Sequence, residues 1–200
     1  MKLAWGSKVD ADFRARIRLI CFNFKWPAHF ASWLMACIAF ETGETFSPSI
    51  KNAAGSGATG LIQFMPKTAR GLGTSDVKLE RMTAVEQLDY VEAYFKPYAR
   101  RIRTLSDMYM AILAPAHIGK PDDEVLYNTG LAYKLNAPLD IDQDGAITKE
   151  EAAGFVSIKL KKGLRDPYGL DVNWGTEQRS TATDLINEIE ERLAKLREIV

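Results

Sequence analysis

Apolar positions recur at helical rather than strand spacing along most of the chain. Phe13, Ile17, Ile20, Cys21 and Phe24 lie three or four residues apart, or adjacent on one face, after Asp10 and Asp12, two residues suited to capping a helix start. Pro27 suits the first turn of a second helix, which runs through FASWLMACIAFE and stops near Gly43. That segment is apolar on almost every side, so it belongs at the centre of a core. From Thr42 to Thr59, Ser, Gly, Asn and Pro predict a long loop, and such loops in compact domains tend to carry function. Pro66 is expected to open a short helix, PKTARGLG. Thr83 and Glu86 form a capping box for another, with Val85, Leu88 and Tyr94 turned inward. Ser106 is expected to cap a third, DMYMAILA, which Pro115 ends. GLIQF is the one candidate for a short extended piece. A shift in composition near residue 136 leads into a helix from about Lys149 to Lys162. The last stretch sets Leu185, Ile189, Leu193, Leu196 and Val200 on one stripe, read as a terminal helix docked on the core, with a small oligomerisation seam as the alternative. The predicted fold class is mainly α.

Composition narrows the class. A chain of 200 residues with 46% hydrophobic and 26% charged residues suits one compact domain, or a domain with a small appendage, and excludes a disordered or fibrous chain. Lys and Arg number 26 and so do Asp and Glu, which argues against a chain-wide basic surface for nucleic acid. Cys21 and Cys37 sit in apolar stretches and are expected as buried free thiols, a disulfide between neighbouring helices being left open. His29 and His117 each stand alone in an apolar context and read as structural. The N-terminus lacks an apolar core of signal-peptide length, and the run from Trp26 to Phe40 is shorter than the roughly 20 residues a bilayer requires. Synthesis in the cytoplasm, no export signal and no transmembrane segment are therefore expected.

Glu41 is the first chemical oddity. It follows LMACIAF and precedes the Gly-rich loop, where an apolar setting and the negative end of a helix dipole both disfavour its ionised form. A carboxylic acid kept protonated near neutrality is what general-acid attack on a glycosidic oxygen requires. Around it stand Glu41-Thr42-Gly43, then Phe46-Ser47-Pro48, then the ordered block Gly57-Ala58-Thr59-Gly60-Leu61-Ile62-Gln63-Phe64-Met65-Pro66-Lys67-Thr68-Ala69. Together these blocks resemble the soluble lytic transglycosylase family, its phage-type branch in particular. The resemblance covers roughly Ala31 to Gly130. It implies a lysozyme-like helical domain, of the goose-lysozyme kind, that cleaves peptidoglycan glycan strands. One Glu protonates the oxygen between N-acetylmuramic acid and N-acetylglucosamine, then takes the proton of the sugar's 6-hydroxyl. The implied catalytic residue is Glu41, with Thr42, Gln63, Phe64 and Tyr127 as substrate-binding residues; Gln63 offers both donor and acceptor to an acetamido group, and Phe64 can cover an apolar sugar face. Gly57 and Gly60 read as backbone devices. Phe46 lies five residues after Glu41 where the family pattern has three, so Glu44 stays open as the aligned acid, or as a second carboxylate that would make the enzyme a true muramidase. The family's later tyrosine motif matches neither AILAPAHIG nor Tyr127-Asn128-Thr129-Gly130 cleanly. A phage enzyme of this kind acts on the wall after holin-type release or virion delivery. A non-catalytic, calcium-dependent wall-binding or virion structural module is the competing class.

A second pattern stands on its own residues. From Asp140 to Glu151 the sequence fits a twelve-residue EF-hand loop, with Asp140, Asp142, Asp144, Thr148 and Glu151 offering side-chain oxygens, Ala146 its carbonyl, and Gly145 the sharp turn. One structural Ca²⁺ is expected. Pro138, two residues before the loop, argues against a full incoming helix. The expected organisation is a catalytic domain over residues 1–135 and a calcium-loop segment with a C-terminal helix over 136–200, in a monomer. Charge divides at the same place: residues 1–139 hold 17 basic and 13 acidic residues, a net of +4, and residues 140–200 hold 9 and 13, a net of −4. A mildly basic catalytic portion suits an anionic wall polymer.

Overall fold

The computed structural model describes residues 1–52 and 55–173, so the stripe from Leu185 to Val200 lies outside the described residues. Eight α-helices and four very short strands among the described residues make the fold mainly α. Helix α1 (Ala11–Asn23) starts where the sequence predicts, with Asp10 accepting the Phe13 N–H at 2.7 Å. Helix α2 (Phe30–Glu41) begins three residues later than expected. Pro27 belongs instead to a preceding turn, in which its carbonyl accepts the Phe30 N–H. Nine of the twelve α2 residues are buried, as its all-round apolar sequence demands.

Helix α3 (Pro66–Gly71) has proline at its first position, and α4 (Asp76–Arg81), capped by Ser75, is an element not anticipated from the sequence. Helix α5 (Ala84–Phe95) carries both halves of the Thr83–Glu86 capping box. Helix α6 (Leu105–Leu113) is capped by Thr104 and not by Ser106, whose hydroxyl bonds Asp122 at 2.8 Å. GLIQF does not form a strand. It makes a tight turn closed by one isolated bridge between Thr59 and Phe64, because Gly60 and Gln63 both take positive φ.

Strand β1 (Lys2–Leu3) pairs antiparallel with the last described strand, Leu170–Asp171, and so ties the N-terminus to the far end of the described chain. Strand β2 (Val125–Tyr127) pairs antiparallel with β3 (Ile147–Thr148) inside the acidic loop. Between them lie α7 (Gly130–Asn136) and a 3-10 turn at Ala137–Leu139 containing Pro138, a short approach in place of a full incoming helix. Helix α8 (Lys149–Gly163) leaves the loop, with Thr148 and Glu151 forming a second capping box. It packs along α2 and α6, while α1 covers α2 from another side and meets α5. Ile147, Ala152 and Val156 join Leu34, Met35, Ile38 and Met110 in one continuous core. Cys21 and Cys37 are buried free thiols. No described helix is long and apolar enough to cross a membrane.

Candidate active site

Glu41 is the last residue of α2, which delivers it from the centre of the core to the start of the loop. Its carboxyl is half-buried and accepts no hydrogen bond from any described residue. Burial pushes its pKa up from 4.5 to about 8. The ionisable groups in electrostatic reach are Cys37, one turn earlier, Tyr94 of α5 and Tyr109 of α6, all of which burial and the Glu41 charge push upward. None of these supplies a positive charge, so the neutral acid is the favoured form up to mildly alkaline pH.

Glu44, the other carboxylate left open by the sequence, is in a different state. Lys159 Nζ lies 2.6 Å from its Oε1 and Lys162 Nζ 2.6 Å from its Oε2. Desolvation raises its pKa, but the two ammonium groups outweigh that and hold it below the usual carboxylate range. It stays ionised and engaged. The turn that carries it is unusual: Gly43, Glu44 and Phe46 have φ of 57°, 71° and 55°. Left-handed non-glycine residues cost about 1–3 kcal/mol each and persist only where their surroundings over-determine them.

The remaining predicted residues fall into different settings. Thr42 corrects the expectation of a substrate contact: it is fully buried, and its hydroxyl donates to the Ile38 carbonyl at 2.7 Å while accepting the Phe46 N–H at 3.1 Å. Phe64 is only 2% exposed, with its ring edge-on to Tyr94 at 6.1 Å, so it is a packed core residue and no open sugar platform. Gln63 is half-buried; its amide nitrogen donates to the Ile50 and Gly60 carbonyls, which leaves its oxygen as the available acceptor. Tyr127 is half-buried on β2, where it pairs with Ile147 of β3.

The ordered block is held by a residue that the sequence reading missed. Gln87 of α5 is fully buried; its Oε1 accepts the Leu61 N–H at 2.7 Å, and its Nε2 donates to Pro48 and Leu79 carbonyls at 2.8 and 2.9 Å. Gly60 lies so close that a β-carbon there would overlap the Gln87 amide, which explains the glycine along with its φ of 83°. The signal was present: Gln87 is the one polar residue on the inward stripe it shares with Val91 and Phe95. Tyr94 was expected only as an inward core residue, and Tyr109, Lys159 and Lys162, from elements remote in sequence, were not singled out.

At the other end of α8, one carboxylate oxygen from each of Asp140, Asp142 and Asp144 lies within 4.8 Å of the others. Asp140 is 9% exposed; its Oδ2 accepts from the Tyr133 hydroxyl at 2.7 Å and the Gly145 N–H at 3.1 Å, whereas its buried Oδ1 has no hydrogen-bond partner. A buried, unpartnered carboxylate oxygen on a residue clustered with two more carboxylates is a donor set that suits a hard divalent cation. Glu151 already accepts the Ile141 N–H on Oε1 and both the N–H and hydroxyl of Thr148 on Oε2, so it closes the loop and caps α8 at once. The Thr148 hydroxyl is engaged with Glu151, and Ala146 contributes its N–H to Asp144. Compared with protein-family models, curated proteins and solved structures, the chain matches none.

Proposed function

We propose that this protein is a peptidoglycan-cleaving lytic transglycosylase of phage type, with Glu41 as its single general acid and base. The observation that carries this reading is the Glu41 carboxyl itself: half-buried, without a hydrogen bond or counter-ion among the described residues, and held protonated to about pH 8 at the end of an apolar helix. The ordered block from Gly57 to Ala69 beside it supports the substrate class. Glu41 donates its proton to the bridging oxygen as the C1–O bond breaks. The resulting carboxylate, again disfavoured in its apolar setting, takes the proton of the 6-hydroxyl as O6 bonds to C1, which regenerates the acid and leaves a 1,6-anhydro end. The Gln63 oxygen is the acceptor available for an acetamido N–H. The locked state of Glu44 favours this reading over a muramidase, in which a second carboxylate must orient water.

We further assign one structural Ca²⁺ to the 140–151 loop, held by Asp140, Asp142 and Asp144, with the Ala146 carbonyl, Thr148 and Glu151 completing the set in the EF-hand pattern. The ion would neutralise clustered carboxylates and supply no step of the reaction.

The test is direct. Glu41→Gln should retain fold and Ca²⁺ binding and lose release of glycan fragments from purified peptidoglycan by at least about a hundredfold. Mass spectrometry of wild-type products should find anhydro-muramic ends. Reducing ends would make the enzyme a hydrolase, and undiminished release by Glu41→Gln would remove Glu41 from the chemistry.

A further inference from the structure

The helix that leaves the acidic loop also grips the turn after Glu41. α8 starts on Thr148 and Glu151, and its far end carries Lys159 and Lys162, which take one oxygen each of Glu44 at 2.6 Å. Glu44 stands in the turn where three of four residues have positive φ, a geometry that depends on outside support. Fifteen residues of α-helix, roughly 22 Å, separate the two ends. The helix is fixed along that length. Lys149 at its start is 1% exposed and lies 2.7 Å from Asp107 of α6. The Trp5 indole N–H donates to the Lys159 carbonyl at 3.0 Å, and Gly163 sits against the Trp5 ring where no β-carbon would fit. Lys162 Nζ lies 5.6 Å from the centre of the same ring. The loop end and Glu44 are thus joined through one packed helix with defined contacts at both ends.

We infer that Glu44 is a positioning residue, and that its grip by Lys159 and Lys162 is the contact through which divalent-cation occupancy of the 140–151 loop sets the geometry of the Glu41 turn. The inference rests on the metal reading above. Glu44 acts through the backbone of its turn and takes no part in proton transfer. Coupling between two sites is reciprocal, so a cation that favours the gripped turn binds less tightly once the grip is removed.

The experiment is a calorimetric titration of the full chain with CaCl₂, paired with the ¹H–¹⁵N resonance of the Trp5 indole, assigned through Trp5→Phe. In the wild type, calcium should bind and shift the Trp5 resonance. Glu44→Gln and Lys162→Met should each weaken calcium binding by roughly three- to tenfold and lose the Trp5 shift. Lys161→Met, an exposed neighbour on the same turn, should behave as wild type. With purified peptidoglycan, Glu44→Gln should lower kcat while leaving KM nearly unchanged. Wild-type calcium affinity and an intact Trp5 shift in both grip variants would overturn the inference. Absence of calcium binding in the wild type would overturn it together with the metal reading. Coupling observed in a protein that cleaves no glycan would uphold the inference and overturn only the catalytic reading.

Discussion

At the scale of the residue, two carboxylates three positions apart have opposite fates because their neighbours differ. Among the described residues Glu41 faces a phenolic and thiol environment that offers no positive charge, and burial raises its pKa to about 8; Glu44 meets two ammonium groups and is held low. This difference makes a stability prediction. Folded Glu41 binds its proton more tightly than in the unfolded chain, so stability falls as pH rises from about 4.5 to about 8 and stays low above that. Allowing for its partial exposure, the loss is about 2–3 kcal/mol. Glu41→Gln should therefore unfold at higher temperature than wild type at pH 9, with the advantage gone near pH 4. Equal melting temperatures at both pH values would contradict the raised pKa. On the proposed activity, glycan cleavage should decline through the same alkaline limb.

At the scale of the element, α8 is joined to α6 by a buried ion pair. Lys149 and Asp107 are 1% and 2% exposed; Lys149 Nζ also donates to the Lys120 carbonyl, and Asp107 also accepts the Gly119 and Arg103 N–H groups. Removing one partner strands a charge among satisfied neighbours. Lys149→Met should cost about 3–5 kcal/mol, measured by denaturant unfolding, and a compensating Asp107→Leu should return part of it. A loss under 1 kcal/mol for the single variant would show, on the usual scale for such pairs, that water reaches Asp107 freely. The short elements follow local rules more closely than the long connection does. Capping by Asp10 and Thr83 agrees with simple spacing, whereas Thr104 displaced Ser106 because Ser106 has a partner in Asp122 from beyond the helix.

At the scale of the whole molecule, the acidic loop and the Glu41 turn occupy opposite ends of one helix that crosses the core. Loading the loop with calcium at about a hundredfold above its dissociation constant should stabilise the fold by about 2.7 kcal/mol, or about 5–10 °C for a chain of this size. Chelation should reverse the shift in a thermal scan. A midpoint indifferent to chelator would remove the metal from this account.

The chain's own pattern determined what depends on near neighbours: the all-apolar α2, the capping box at Thr83, the proline start of α3, and the twelve-residue acidic pattern from Asp140 to Glu151. It also marked Glu41, because a carboxylate ending such a helix has few solvated options. Tertiary structure decided the rest. Thr42 and Phe64 read as open contacts in sequence and turned inward, since α2 and α5 close over them. Gln87 became the anchor of a turn whose Leu61 lies 26 residues before it, and Lys159 and Lys162 reached back 115 and 118 positions to Glu44. Hydrogen-bond capacity is local, but its partner is chosen by packing, and a partner that far along the chain leaves no periodicity to read.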